Sequence, residues 1–109
     1  MASGLAVVGI DEVEGLPETL WSEAERTYAR SKSDPSRRLA ARLAAKRAVA
    51  RLLGVALEEV EVLPARGSPP RLGLSEDAEH ALRRRGASHT LLSLTHGRTH
   101  AAAAVLLLA

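Results

Sequence analysis

The first apolar run, Leu5-Ala6-Val7-Val8-Gly9-Ile10, is hydrophobic on both faces and rich in strand formers, which predicts a central strand. Asp11 closes it. In straight strand geometry Asp11 shares a face with Gly9 and Val13, while Glu12 and Glu14 point the other way. Leu16-Pro17 breaks the run. Residues 22–31 predict a short helix, with Ser22 as N-cap and Glu25 three positions on to complete a capping box. Asp34-Pro35 opens the main helix, Asp34 as N-cap and Pro35 at the first helical position, and Gly54 stops it after Leu53. Leu39, Leu43, Ala50 and Leu53 form one stripe, and Ala44, Ala45 and Ala48 fill much of the rest. Such a helix can lie flat on a sheet and be buried on more than one side.

Val60-Glu61-Val62-Leu63 alternates and predicts a strand. Residues 66–70 form a turn, and Arg71-Leu72-Gly73-Leu74 a second short strand. Residues 75–85 predict a helix with acids Glu76 and Asp77 first and bases Arg83, Arg84 and Arg85 last, complementing the helix dipole, with Gly86 as its stop. Residues 90–95 and 100–108 predict two strands joined by a tight turn at Gly97-Arg98. With no linker, repeat or low-complexity segment, residues 1–109 are expected to form one small α+β domain, an antiparallel sheet packed on a central alanine-rich helix.

Composition sharpens this picture. The chain is 46% hydrophobic yet has no Phe, one Trp (Trp21) and one Tyr (Tyr28), so its core must be built from Ala, Val and Leu. Small side chains let elements approach closely but bury little area each, which makes a homo-oligomer attractive. The absence of cysteine excludes disulfides and thiol-ligated metal. A net charge of +2 and 2% aromatic residues argue against a nucleic-acid partner. The N-terminus lacks a signal-peptide layout, and the apolar run 101–109 is too short to span a bilayer as a helix, so a cytoplasmic protein without a membrane partner is expected.

Several residues carry candidate chemistry. Asp11, where a strand becomes a loop, is placed either to ligate a metal or to cap a turn. Arg42, Lys46 and Arg51 recur at roughly one-turn intervals on the main helix, either to grip phosphates or to snorkel at its rim. His96 and His100 flank the last turn, but no further ligands are placed to make a zinc site with them. His80 and His89 read as surface residues.

In order, these segments resemble the holo-acyl-carrier-protein synthase family of 4′-phosphopantetheinyl transferases. The family's G-I-D-x-V-E is present as Gly9-Ile10-Asp11-Glu12-Val13-Glu14, and its F-T-x-x-E is similar to Trp21-Ser22-Glu23-Ala24-Glu25. Its central helix, F-L-A-x-R-F-A-A-K-E-A, is similar to residues 38–48, its G-x-P turn to Gly67-Ser68-Pro69, and its S-I-S/T-H hairpin to Ser93-Leu94-Thr95-His96. The resemblance implies transfer of the phosphopantetheine arm of coenzyme A to a serine of an acyl carrier protein or carrier domain, with Mg²⁺, by a homotrimer with sites between subunits. It implies Asp11 as the Mg²⁺ ligand, and Asp11, Lys46 and His96 as catalytic residues. It implies Arg42, Lys46, Arg51, His96, Gly67 and Pro69 as coenzyme A contacts.

The chain departs from the family in two places. The family's Lys-Glu pair is Lys46-Arg47 here, and an arginine neither ligates Mg²⁺ nor accepts a proton at neutral pH. Arg47 is therefore expected to cap the metal position by pairing with Asp11 or Glu14, with a metal site rescued by Glu12 or Glu14 as the alternative. The family's arginine-bearing helix, which docks the carrier protein, also has no counterpart in Gly15-Leu16-Pro17-Glu18. A non-catalytic homologue that binds coenzyme A, a carrier protein or another subunit is the competing expectation.

Overall fold

A computed structural model describes residues 2–64 and 69–109. Strand β1 (Ala2–Gly9) pairs antiparallel with β5 (His100–Leu108), from Ala2 opposite Leu107 to Gly9 opposite His100. On its other edge β5 pairs with β4 (His89–His96), from His89 opposite Leu108 to His96 opposite Ala101, giving the order β1-β5-β4. Strands β2 (Val60–Leu63) and β3 (Arg71–Leu74) form a separate antiparallel pair. Among the described residues there are three α-helices, α1 (Glu23–Arg30), α2 (Pro35–Leu53) and α3 (Glu76–Arg84), and short 3-10 turns. Among the described residues no helix is long and apolar enough to cross a membrane.

Helix α2 lies on the three-stranded sheet. Side chains alternate along each strand, so Ala6, Val8, Leu92, Ala101, Ala103, Val105 and Leu107 face it and are buried. Nearly every residue of α2 from Ala40 to Ala50 is buried too, because β2, α1 and the turn after β1 cover its remaining sides. The alanines make this possible. At Gly4, an added Cβ would stand 3.0 Å from Leu52 Cδ1 and 3.4 Å from the Ala48 carbonyl, so the helix approaches the sheet where β1 has no side chain. A core without phenylalanine is the chemical counterpart of that close approach.

The opposite face of the sheet is apolar and open. Leu5 and Val7 on β1, Leu91 on β4 and Leu106 on β5 are all exposed there.

The helix stops agree with expectation. Gly54 and Gly86 are left-handed, with φ of 69° and 75°, and Gly54 N–H donates to the Ala50 carbonyl at 2.7 Å. Three local expectations are corrected. The run expected as a central strand is an edge strand, with β5 in the middle of the sheet. Strand β1 ends at Gly9, and residues Ile10–Gly15 wind as a 3-10 helix, so Asp11, Glu12 and Glu14 do not alternate across a strand. Ile10 N–H donates to the Thr99 carbonyl at 2.9 Å, which anchors the turn to the β4–β5 hairpin. Asp34 precedes α2 but makes no cap bond; its carboxylate is drawn instead to Arg38.

Candidate functional site

A cavity of about 860 Å³ opens between α1, α2, the β2–β3 strand pair and the end of β4. Tyr28 and Lys32 line one side, Arg38 and Arg42 the α2 side, and Thr95 and His96 the β4 side. Arg38 and Arg42 are four apart and so face the same way. Arg42 is 4% exposed and stacks on the Tyr28 ring with its guanidinium carbon 4.2 Å from the ring centroid. Its Nη1 donates weakly to the Arg38 carbonyl at 3.4 Å, while its buried Nε has no partner among the described residues. Burial pulls its pKa below the ordinary arginine value, with Tyr28 acting the other way. An arginine nonetheless stays protonated at neutral pH, so this is a buried cation with unspent donors.

At the mouth, Asp34 binds Arg38 and approaches His96. Its Oδ1 accepts from Arg38 Nε at 3.0 Å, and its Oδ2 lies 3.9 Å from His96 Nε2. The Arg38 hydrogen bond holds the Asp34 carboxyl below its ordinary value, so the aspartate stays charged beside both groups.

Lys46, one turn beyond Arg42, does not line this cavity. It is 2% exposed, and its ammonium bonds Glu25 Oε1 at 2.7 Å. Glu25 is fully buried and also accepts from the backbone N–H groups of Ser22 (2.7 Å) and Val62 (2.9 Å). The expected capping box thus exists, with Ser22 Oγ accepting from Glu25 N–H at 3.1 Å. Its glutamate also ties α1, α2 and β2 together.

The acidic turn after β1 forms a second cluster. Glu12 Oε2 accepts the Gly9 N–H at 2.8 Å, and its Oε1 lies 3.2 Å from Arg47 Nη1. The Gly9 bond, reinforced by Arg47, lowers the Glu12 pKa below its ordinary 4.5. The partner of Arg47 is therefore Glu12, not Asp11 or Glu14; the 3-10 turn that carries Glu12 packs directly against α2. Asp11 is exposed. No group of three or more His, Asp or Glu side chains among the described residues could hold a metal ion. Glu12 is spent on Gly9 and Arg47, so it is not free to ligate an ion beside Asp11. These residues do not fit the Mg²⁺ site that the resemblance implies.

The cations expected along α2 are thus separated. Arg42 floors the cavity and Lys46 is interior. Arg51 is exposed on the last turn, roughly opposite Arg42 at 3.6 residues per turn. His96 joins Arg42 at the cavity. Pro69 lines a neighbouring apolar groove with Leu72 and Leu91, and Gly67 lies outside the described residues. Tyr28, Lys32, Asp34, Arg38 and Glu25 were missed as site or site-supporting residues. The capping box and the F-T-x-x-E match mark Glu25, and the spacing of four marks Asp34 and Arg38 with Arg42, but neither shows what these residues meet across the fold.

No protein-family model matches the chain. A holo-acyl-carrier-protein synthase of Moorella thermoacetica is 30% identical, over 97% of this chain and 92% of that protein. The crystal structure of the Helicobacter pylori holo-acyl-carrier-protein synthase in complex with coenzyme A superimposes with a TM-score of 0.80, covering 97% of this chain and 99% of that one at 18% identity. A coenzyme A complex of the enzyme from Chronobacterium ammoniagenes gives a TM-score of 0.77 at 26% identity, covering 95% of this chain and 93% of that one.

Proposed function

Since the chain belongs to the holo-acyl-carrier-protein synthase family, we propose that it takes coenzyme A into the cationic cavity and transfers the 4′-phosphopantetheine arm to a serine of a carrier protein. The observation that carries this reading is Arg42: a buried guanidinium whose Nε has no partner among the described residues, at the floor of a cavity that also presents Arg38, Lys32 and His96. Such a set suits the phosphates of a phosphorylated nucleotide. The adenine end would share the cavity with Tyr28, Pro64 and Pro70.

In the proposed step the serine oxygen bonds to the phosphorus that carries the arm. The bond from that phosphorus to the bridging oxygen breaks, and 3′,5′-ADP leaves with the electron pair. Arginine and lysine charges stabilise the oxygens as charge shifts between them. Asp11 is the proposed acceptor of the serine proton, and His96 a phosphate contact. Lys46 acts by holding Glu25. No step runs through a metal ion.

Strand β5 separates β1, whose end carries Asp11, from β4, which ends at His96, by about 10 Å across the sheet. The open apolar face at Leu5, Val7, Leu91 and Leu106 supports a homo-oligomer, proposed as a trimer, in which the turn of one protomer completes the cavity of another. The cytoplasm is the proposed compartment.

The Arg47–Glu12 pair favours a second reading, a non-catalytic homologue that binds coenzyme A or a carrier protein. Intact-mass detection of arm transfer onto a panel of apo carrier proteins separates the two. Transfer by the natural chain, lost in Arg42→Met together with calorimetric coenzyme A binding, is expected. Binding without transfer would establish the second reading. Transfer and binding unchanged by Arg42→Met would place coenzyme A elsewhere.

A further inference from the structure

The acidic turn already holds a cation. An added Cβ at Gly9 would stand 2.9 Å from Asp11 Oδ1 and 3.5 Å from Glu12 Oε2, so both carboxylates close over the same glycine. Like charges crowded in this way repel unless a positive group stands between or beside them. A divalent ion meets that need where the carboxylates are free to ligate. Here Glu12 is not free. One oxygen takes the Gly9 N–H and the other takes Arg47.

Arg47 reaches the turn from α2, which is buried on nearly all sides from Ala40 to Ala50. Its side chain is 30% exposed, so the guanidinium sits at the surface of the cluster. Among the described residues it spends one bond on Glu12, and a guanidinium has five donors in a planar fork.

We infer that Arg47 is the resident cation of this turn: its guanidinium, held by Glu12, takes the place of a divalent ion, so the turn binds no Mg²⁺ and meets an incoming diphosphate with N–H groups. The diphosphate clause rests on the coenzyme A reading above; the exclusion of the ion does not.

Two measurements test it on the full chain. In the first, Mn²⁺ is titrated without nucleotide and followed by electron paramagnetic resonance. The natural chain shows no saturable site at millimolar ion. Arg47→Glu gains one, and Asp11→Asn in that background removes it. In the second, coenzyme A binding is measured by calorimetry with Mg²⁺ and with chelator. The natural chain binds equally in both, and Arg47→Gln, checked for native circular dichroism, binds about tenfold more weakly in both, the loss of one charge-assisted contact. A saturable Mn²⁺ site in the natural chain that Asp11→Asn removes would overturn the inference. So would coenzyme A binding that requires Mg²⁺. Equal silence of the natural chain and Arg47→Glu would show that the guanidinium is not what excludes the ion. If coenzyme A binds under no condition, the coenzyme A reading falls, and the Mn²⁺ titration still decides the role of Arg47.

Discussion

Lys46 shows how far position along a helix differs from role. Its ammonium and the Glu25 carboxylate are both removed from water, and each compensates the other with the help of two backbone N–H groups. Removing one partner leaves a buried charge alone. Lys46→Ala or Glu25→Ala should therefore cost about 3–5 kcal/mol. Urea denaturation checks this, and the double variant Glu25→Gln with Lys46→Met should recover a large part of the loss. At the surface, Glu12 behaves differently. Its folded-state pKa lies below the ordinary 4.5, so its contribution to stability is complete above that value and disappears as pH falls through the lowered one. In an NMR titration, Arg47→Gln should raise the Glu12 pKa part of the way back. The Gly9 N–H, the larger cause, remains.

At the level of elements, α2 organises the molecule because it is narrow. Alanines at 40, 41, 44, 45 and 48 are all buried, and Gly4 lets β1 pass directly beneath Leu52 and Ala48. Gly4→Val should cost about 1–3 kcal/mol through overpacking, seen as a lower urea midpoint with an unchanged slope. The 3-10 winding of residues 10–15 is the other decisive element. It converts an expected strand end into a turn pinned to Thr99 and packed on α2, where Glu12 meets Arg47.

At the scale of the whole molecule, the three-stranded sheet is covered on one face only. Leu5 and Val7 are 64% and 57% exposed, and Leu91 is 56% exposed on the other edge strand, an apolar face that suits the proposed homo-oligomer. Sedimentation velocity should find the natural chain as a homo-oligomer and Val7→Lys with Leu91→Glu as a monomer. Both substitutions lie on the outer face, so the monomer should keep its secondary structure.

Local rules sufficed wherever the cause was local. The helix stops at Gly54 and Gly86, the Ser22 capping box, the alternating strands and the alanine-rich helix all follow from neighbours a few residues apart, and so α+β was legible in the sequence. The ordered motifs carried the family as well, now supported by the 30% identical relative. Chemistry that depends on residues far apart in sequence was not legible. Glu25 meets Lys46 and Val62, Arg42 meets Tyr28, and Arg47 meets Glu12, because packing of α2 against its neighbours fixes which faces turn inward. The spacing of Arg42, Lys46 and Arg51 made them look equivalent, and only burial made one a cavity floor, one an interior ion pair and one a surface charge. Sequence alone determines which charges are present; the tertiary structure decides which of them are removed from water and which find a partner, since desolvation and pairing depend on the assembled core.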